Sequence, residues 1–316
     1  MKIVFMGTPE YARAALEALL EAGHEILAVV TQPDKSRGRS RTLVPPPVKV
    51  CAESHGIHVL QPRRIRKPEA VAELRQYPAE VYVVAAFGQI LSQEILDIPA
   101  FGCLNIHASL LPGYRGASPI QHAILEGEEK TGITIMQMDA GIDTGDMLYK
   151  RETEILPEDT YQTLHDRLAV LGGEAITEAL ALLEQGKLAP CKQEEELSSY
   201  APLIGKEMGK LDFSQDALAL DRRIRAMTPW PSAYTDYRGK QLKIWRGEPV
   251  FTVNTFGRIP GEILQTDKDF LTVAAGKGAL RIYELQLEGK KRMTAHDFLL
   301  GVRMQPGEVL GTSGKE

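Results

Sequence analysis

Over its first 186 residues the chain alternates short β-branched runs with segments whose apolar residues recur at helical spacing, and this alternation constrains the fold most strongly. Lys2–Phe5, Ile26–Val30, His58–Leu60, Val81–Ala85, Cys103–His107 and Ile133–Met138 read as strands. Ala12, Ala15, Leu16, Leu19 and Leu20 mark one face of a helix that Gly23 ends. Further helices are expected around Val48–Ser54, Pro68–Gln76 and Ile120–Glu126. A long one spans Thr160–Gln185, where Gly172-Gly173 could bend it. Such alternation predicts a parallel sheet with helices on both faces and functional loops at the carboxyl ends of its strands.

Past Gly186 the pattern changes. A polar stretch containing Gln193-Glu194-Glu195-Glu196 and Ser198-Ser199 reads as a linker. One helix over Asp216–Met227 follows. Then come short strands at Ala233–Tyr237, Leu242–Trp245, Gly261–Gln265, Phe270–Ala274 and Leu280–Leu287, which suggest a small barrel. The expected organisation is therefore a domain over 1–186, a linker over 187–204 and a second domain over 205–316. A length of 316 residues suits two domains, and 43% hydrophobic residues suffice for real cores. The net charge of −5 is uneven: residues 201–316 hold 18 Lys and Arg against 14 Asp and Glu, leaving 19 against 28 in the first 200. A basic module behind an acidic one points to a polyanionic partner for the former. No run approaches the roughly 18 apolar residues of a membrane span. The N-terminus reads as a strand rather than a signal peptide, and three scattered cysteines form no paired spacing. A protein of the reducing cytoplasm is expected.

Several segments invite a chemical reading. Gly7-Thr8-Pro9 between a strand and a helix supplies only one of the three glycines a dinucleotide site needs. Lys35, Arg37, Arg39 and Arg41 alternate with Gly and Ser in a loop after the second strand. That loop reads either as a solvated surface or, given its place on the functional edge, as a phosphate contact. Asn105 and His107, two apart in a strand, share a face and end at a Pro/Gly turn. Asp143 follows the next strand in the acidic turn Asp139–Asp146. A packed histidine and an ordinary turn aspartate would be the bland reading; the Asn-x-His spacing beside that turn favours an active site. His55 and His58 lack the partners of a metal site, Ser109 lacks a hydrolase elbow, and Cys103 reads as a packed thiol. A mechanism using neither metal nor covalent intermediate is expected.

At these residues the chain resembles the folate-dependent formyltransferases. The resemblance rests on Phe5-Met6-Gly7-Thr8-Pro9, the Thr31–Arg41 loop, Ala86–Leu91, Asn105–Pro112, Arg115–Gln121 and Met138–Asp146. In the second half it continues with Ile224-Arg225-Ala226, Pro229-Trp230-Pro231 and Lys291-Arg292-Met293, so it covers nearly the whole chain. It implies an α/β, Rossmann-like parallel-sheet domain followed by a small OB-like β-barrel. It also implies a catalytic trio of Asn105, His107 and Asp143. Ser109, Leu110, Leu111 and Pro112 would line the folate site, with Phe87, Gly88, Gln89, Ile90 and Leu91 against the pterin.

On that resemblance the donor is 10-formyltetrahydrofolate and the acceptor the α-amine of methionyl-initiator-tRNA. Donors on Asn105 and His107 would stabilise the developing oxyanion, and Asp143 would hold charged His107 and help move the proton. The basic loop, with Arg39 at the critical position beside Lys35, Arg37 and Arg41, would reach the acceptor end of the tRNA. Lys206, Lys210, Arg222 and Arg225 would contact its phosphates. A monomer is expected. Two other readings stay open: a sugar-nucleotide N-formyltransferase using the same donor, and a binding protein without turnover. The second module argues against the first and the complete trio against the second.

Overall fold

The computed structural model describes residues 1–36 and 42–311. The chain divides into two compact units. One comprises Met1–Pro119, Lys130–Glu154 and His165–Ala201; the other comprises Ile120–Glu129, Ile155–Leu164 and Pro202–Glu316. The stretch expected as a linker is thus counted with the first unit as far as Ala201, where Cys191 and Met147 exchange backbone hydrogen bonds of 2.8 Å.

In the first unit the chain runs β1 (Lys2–Gly7), α1 (Glu10–Glu21), β2 (Glu25–Val30), the small hairpin β3 (Lys35–Ser36) and β4 (Leu43–Val44), α2 (Pro47–Ser54) and β5 (Val59–Leu60). It continues with α3 (Pro68–Leu74), β6 (Val81–Ala85), α4 (Gln93–Leu96) and β7 (Cys103–His107). Next in the chain is α5 (Pro119–Glu126), counted from Ile120 with the second unit; the first unit then resumes with β8 (Lys130–Gln137), β9 (Met147–Glu154) and α6 (Tyr161–Glu184), of which the residues up to Leu164 are counted with the second. The seven-stranded sheet is ordered β5-β2-β1-β6-β7-β8-β9. Its first five strands are parallel, and Val4, Met6, Val30, Tyr82 and Val84 on one face share a core with Ile65, Leu74, Phe87, Leu91 and Ile95. The order reverses between β1 and β6, so the loops after these strands flank a switch-point crevice.

Three differences from the expected pattern have physical causes. The sheet is mixed, because β8 runs antiparallel to β7 and β9 antiparallel to β8; strand–helix alternation alone does not encode the direction of the returning strand. β9 was not expected at all. It is an edge strand carrying Lys150, Arg151, Glu152 and Glu154, charges that mask its β pattern while protecting the edge from pairing. Finally, α6 runs uninterrupted through Gly172-Gly173. A Cβ there would lie 3.0 Å from Ile106 or 2.8 Å from Ala18, so the pair serves close packing.

The second unit carries α7 (Ala217–Ala226), capped by the Asp216 carboxylate, which accepts from Ala219 N–H at 2.7 Å. Its strands are β10 (Ala233–Tyr237), β11 (Lys240–Val250), β12 (Ile263–Thr266), β13 (Leu271–Ala274), β14 (Ala279–Leu287) and β15 (Met293–Thr294), ending in α8 (Ala295–Gly301). They form an antiparallel sheet ordered β10-β11-β14-β13-β12, with β15 beside β14. Residues 307–311 close the gap between the edges. Leu310 N–H donates to Gly261 and Gly307 N–H to Ile263 on the β12 side, while Gly311 N–H donates to Asp236 of β10. The helix α8 went unread although Thr294 and Asp297 carry its capping signature: the Thr294 hydroxyl accepts from Asp297 N–H.

The cysteines follow from this packing. Cys103 is fully buried and desolvation pushes its thiol up to about 12; Cys51 is buried and raised for the same reason; Cys191 is exposed. A thiol reagent at pH 8 should therefore label one site rapidly in the native protein and three after unfolding. Rapid labelling that persists in Cys191→Ser would contradict this packing.

Candidate active site

The site is assembled at the carboxyl end of β7. Asn105 and His107 occupy alternate positions of that strand, half-buried and buried respectively. Antiparallel pairing sets Leu104 opposite Gln137 and His107 opposite Thr134, so β8 passes the histidine and ends three residues beyond it. The turn after β8 must therefore fold back along β7 to deliver Asp143. It does so with the Asp139 carboxylate accepting from Gly141 N–H at 3.0 Å and the Thr144 hydroxyl at 2.7 Å. Asp143 Oδ2 then lies 3.5 Å from His107 Nδ1, and Oδ1 lies 3.5 Å from Asn105 Nδ2. The structure thus brings the expected trio together.

The adjoining loop holds the trio from the other side. The Tyr114 carbonyl faces His107 Nε2 at 3.0 Å, and Gly116 N–H donates to Asp143 Oδ2 at 2.8 Å. Both ring nitrogens of His107 therefore face oxygen acceptors. A neutral tautomer can donate to only one of them, whereas the imidazolium satisfies both. Tyr114 and Asp143 take left-handed backbone conformations, φ 60° and 54°. Such strain at a non-glycine residue costs on the order of 1–3 kcal/mol and persists only where the surroundings enforce it.

The residues expected to meet a folate fall into two groups. Phe87 and Leu91 have buried side chains in the core, which leaves their loop anchored and Ile90, 62% exposed, protruding. The Phe87 carbonyl accepts from Thr8 and from Gln32, both at 3.1 Å, tying together the loops after β1, β2 and β6. Gly88 is left-handed at φ 79°. The Gln89 side chain turns inward to Ile65 N–H at 2.7 Å and the Pro62 carbonyl at 3.0 Å. Ser109 is buried and donates to the Gly113 carbonyl at 2.7 Å. Leu111 N–H donates to the Thr134 hydroxyl at 3.1 Å, Leu110 and Pro112 are half-buried, and the Leu111–Pro112 bond is cis.

Of the expected polyanion contacts, Lys35 is exposed in β3, and Arg37, Arg39 and Arg41 lie outside the described residues. Lys206 is exposed, and Lys210 sits 3.6 Å from Asp236. Arg222 packs its guanidinium over Gly127. Arg225 is engaged within the second unit, donating to Asp221 at 2.8 Å and the Asp159 carbonyl at 3.0 Å. A second basic turn was not expected: Arg63, Arg64, Arg66 and Lys67 are all exposed around buried Ile65. Nor was an aromatic face on β11 and β14. There Lys243 and Arg292 lie 5.6 and 4.9 Å from the Trp245 ring centre, and Arg246 lies 4.8 Å from that of Tyr283. The run of cations was visible in the sequence; the pairing across strands was not.

Gly116 is left-handed at φ 113°, and a Cβ there would meet the Tyr200 ring at 2.7 Å and the Ala201 carbonyl at 2.8 Å. Gly116→Ala should cost about 1–3 kcal/mol of stability. Because Gly116 N–H holds Asp143, turnover should fall by more than the loss of folded protein explains. Denaturant melts and kinetics on the same preparation check both.

Comparison with known proteins gives the family. The family model described as formyl transferase matches residues 1–180, and that of the formyl transferase C-terminal domain matches residues 203–303. The methionyl-tRNA formyltransferase of Geobacter metallireducens is 52% identical over 98% of this chain and 99% of its own length. That of Caldanaerobacter subterraneus is 50% identical over 98% of this chain and 100% of its own. Among solved structures, HypX from Aquifex aeolicus in complex with tetrahydrofolic acid has a TM-score of 0.65 at 19% identity, covering 95% of this chain and 47% of that one. An N-formyltransferase from Helicobacter canadensis, in complex with folinic acid and dTDP-3-aminofucose, has a TM-score of 0.66 at 20% identity, covering 93% of this chain and 100% of that one. These structural likenesses speak for the fold alone. With both of its domains matched and its sequence half identical to relatives of equal length, the chain belongs to the formyl transferase family.

Proposed function

We propose that this chain transfers the formyl group of 10-formyltetrahydrofolate to the α-amine of methionyl-initiator-tRNA, the step that prepares the initiator for translation. The observation that carries the reading is identity of about half the residues, across both domains, to relatives named for that reaction. The grouping of Asn105, His107 and Asp143 within 3.5 Å supports it. The site also fits a folate donor: the Phe87–Leu91 loop presents an apolar side chain, Ile90, on an anchored backbone, and Ile142 is 57% exposed next to Asp143. On this reading Ser109, Leu110, Leu111 and Pro112 supply the remaining donor contacts. The folate supplies the formyl group as an amide-like acyl donor.

The acceptor amine is itself a nucleophile, so no serine or cysteine need be activated. As it adds to the formyl carbon, negative charge gathers on the formyl oxygen, and Asn105 Nδ2 donates to it. His107 is held by both ring nitrogens, and its 3.5 Å contact to Asp143 is the one loose enough to exchange for a contact to that oxygen. Removing one such donor typically costs roughly 10²–10³ in rate. Asp143, fixed by Gly116 N–H, orients the ring and accepts the amine proton for delivery to the departing nitrogen.

The acceptor's phosphates meet Lys35, Arg37, Arg39 and Arg41 on the first unit. On the second they meet Lys206, Lys210, Arg222 and the Trp245–Tyr283 face, where bases can stack beside cations. The protein works as a cytoplasmic monomer, a setting that its three free cysteines suit. Among the described residues no helix is long and apolar enough to cross a membrane.

A formylation assay with charged initiator tRNA, charged elongator tRNA and an amino-sugar nucleotide tests the function directly; transfer to the sugar alone would overturn it. His107→Ala should lower turnover by at least about 10²-fold while leaving tRNA affinity near the wild-type value, and full turnover would refute the mechanism. Neutralising Arg39 should raise KM for tRNA and lower the salt slope of binding by about 1, with KM for the folate unchanged. Equal effects on both substrates would show that the loop does not serve the tRNA.

A further inference from the structure

The polar stretch after Cys191 packs against both loops of the active site, and one of its side chains touches both. Gln193 Nε2 donates to the Asp143 carbonyl at 2.8 Å and to the Gly145 carbonyl at 2.7 Å, while Gln193 Oε1 accepts from Arg115 Nε at 3.0 Å. The two carbonyls and the guanidinium fix which end of the amide is which, since a flipped amide would set its oxygen against both carbonyls. Arg115 is itself buried and continues to Glu195 Oε2 at 2.9 Å. The backbone beneath is stitched in register. Arg115 N–H donates to the Ser199 carbonyl at 2.9 Å, Ala201 N–H returns to the Arg115 carbonyl at 2.7 Å, and Tyr114 N–H donates to the Ser199 hydroxyl at 2.8 Å. Three successive residues thus hold three parts of the site: the Tyr114 carbonyl holds His107, the Arg115 side chain holds Gln193, and Gly116 N–H holds the Asp143 carboxylate.

We propose that Gln193, oriented by Arg115, is the positioning residue of Asp143: its amide bridges the two carbonyls of the 143–145 turn and keeps the carboxylate aimed at His107 and Asn105. Asp143 needs such a support because its backbone is left-handed, at φ 54°, and its contacts to His107 and Asn105 are both 3.5 Å, too long to hold the turn by themselves. Gln193 touches the backbone of the turn and none of the three trio side chains, so its effect passes through Asp143. A shift of about 1 Å in a reacting group can cost about 10² in rate, and loss of this bridge removes both bonds to the carbonyls of residues 143 and 145, leaving the Asp139 contacts, the Gly116 N–H bond to the carboxylate and the Gln137–Asp146 backbone bond.

The inference rests on the formyl-transfer reading, and wild-type turnover in the same assay tests that reading separately. Gln193→Met keeps the length of the side chain and removes all three hydrogen bonds; Gln193→Ala removes the side chain altogether. In full-length protein, the Met variant should lose about 10² in kcat, with KM for the folate and for the tRNA close to wild type, and the shape of its kcat–pH profile should change because Asp143 no longer keeps its place beside His107. Arg115→Gln, which frees the amide while leaving it present, should lose less. A kcat near wild type in a folded Gln193→Met protein overturns the proposal. So does a fall of equal proportion at every pH, which would mark a loss of folded protein, and so does an effect confined to KM, which would mark a substrate contact. Should Gln193→Ala fail to fold, the Met variant alone decides. If wild-type protein transfers no formyl group, it is the functional reading that fails.

Discussion

The Asp143 carboxylate is the point on which the rest of the site depends. One oxygen accepts from Gly116 N–H and faces His107, while the other faces Asn105, so a single group aligns a ring and an amide from the same strand. A carboxylate held by a backbone N–H is a charge-assisted contact, stronger than a neutral hydrogen bond and geometrically exact. Holding it there requires left-handed backbone at Tyr114 and Asp143, a cost offset by the bonds from Ser199, Gln193 and Ala201. The segment 191–201 therefore packs within the first unit, against the loops of the candidate site.

The mixed sheet is the geometric cause of this arrangement. In its parallel part the loops after β1, β2, β6 and β7 share one edge, and the Phe87 carbonyl, taken by Thr8 and Gln32, ties three of them together. The antiparallel β8 delivers its turn to the opposite end of β7. Only a turn long enough to fold back, built on the Asp139 contacts, can bring Asp143 to the edge where His107 lies. The core supports the edge directly: Phe87 and Leu91 are packed beneath the loop whose Ile90 protrudes, so its backbone is rigid where its surface is free.

The second unit is stabilised differently. Its antiparallel strands would leave two open edges, and the chain's last described residues span both. Its exposed face combines aromatic rings with cations drawn from separate strands: Trp245 is approached by Lys243 within β11 and by Arg292 just before β15. Charge excess in this half was legible from composition. Its arrangement was not, because a bulge between Ile244 and Gly247 sets which side chains of β11 share a face with those of β14.

Local patterning determined most of the elements. Val81–Ala85, Cys103–His107 and Ala233–Tyr237 end where alternation and turn residues end them, and α6 departs by one residue at each terminus from its periodic apolar face. The spacing of Asn105 and His107 determined that both would share one face of a strand, since a strand's period of two admits nothing else. The direction of β8, the charged edge strand β9 and the reach of Asp143 back to His107 were decided by tertiary structure, for they depend on pairings between residues tens of positions apart. Gln193 is the sharpest case. In sequence it is one polar residue in a polar run; its role exists only because folding sets its amide between two carbonyls and a guanidinium nearly 50 and 80 residues away.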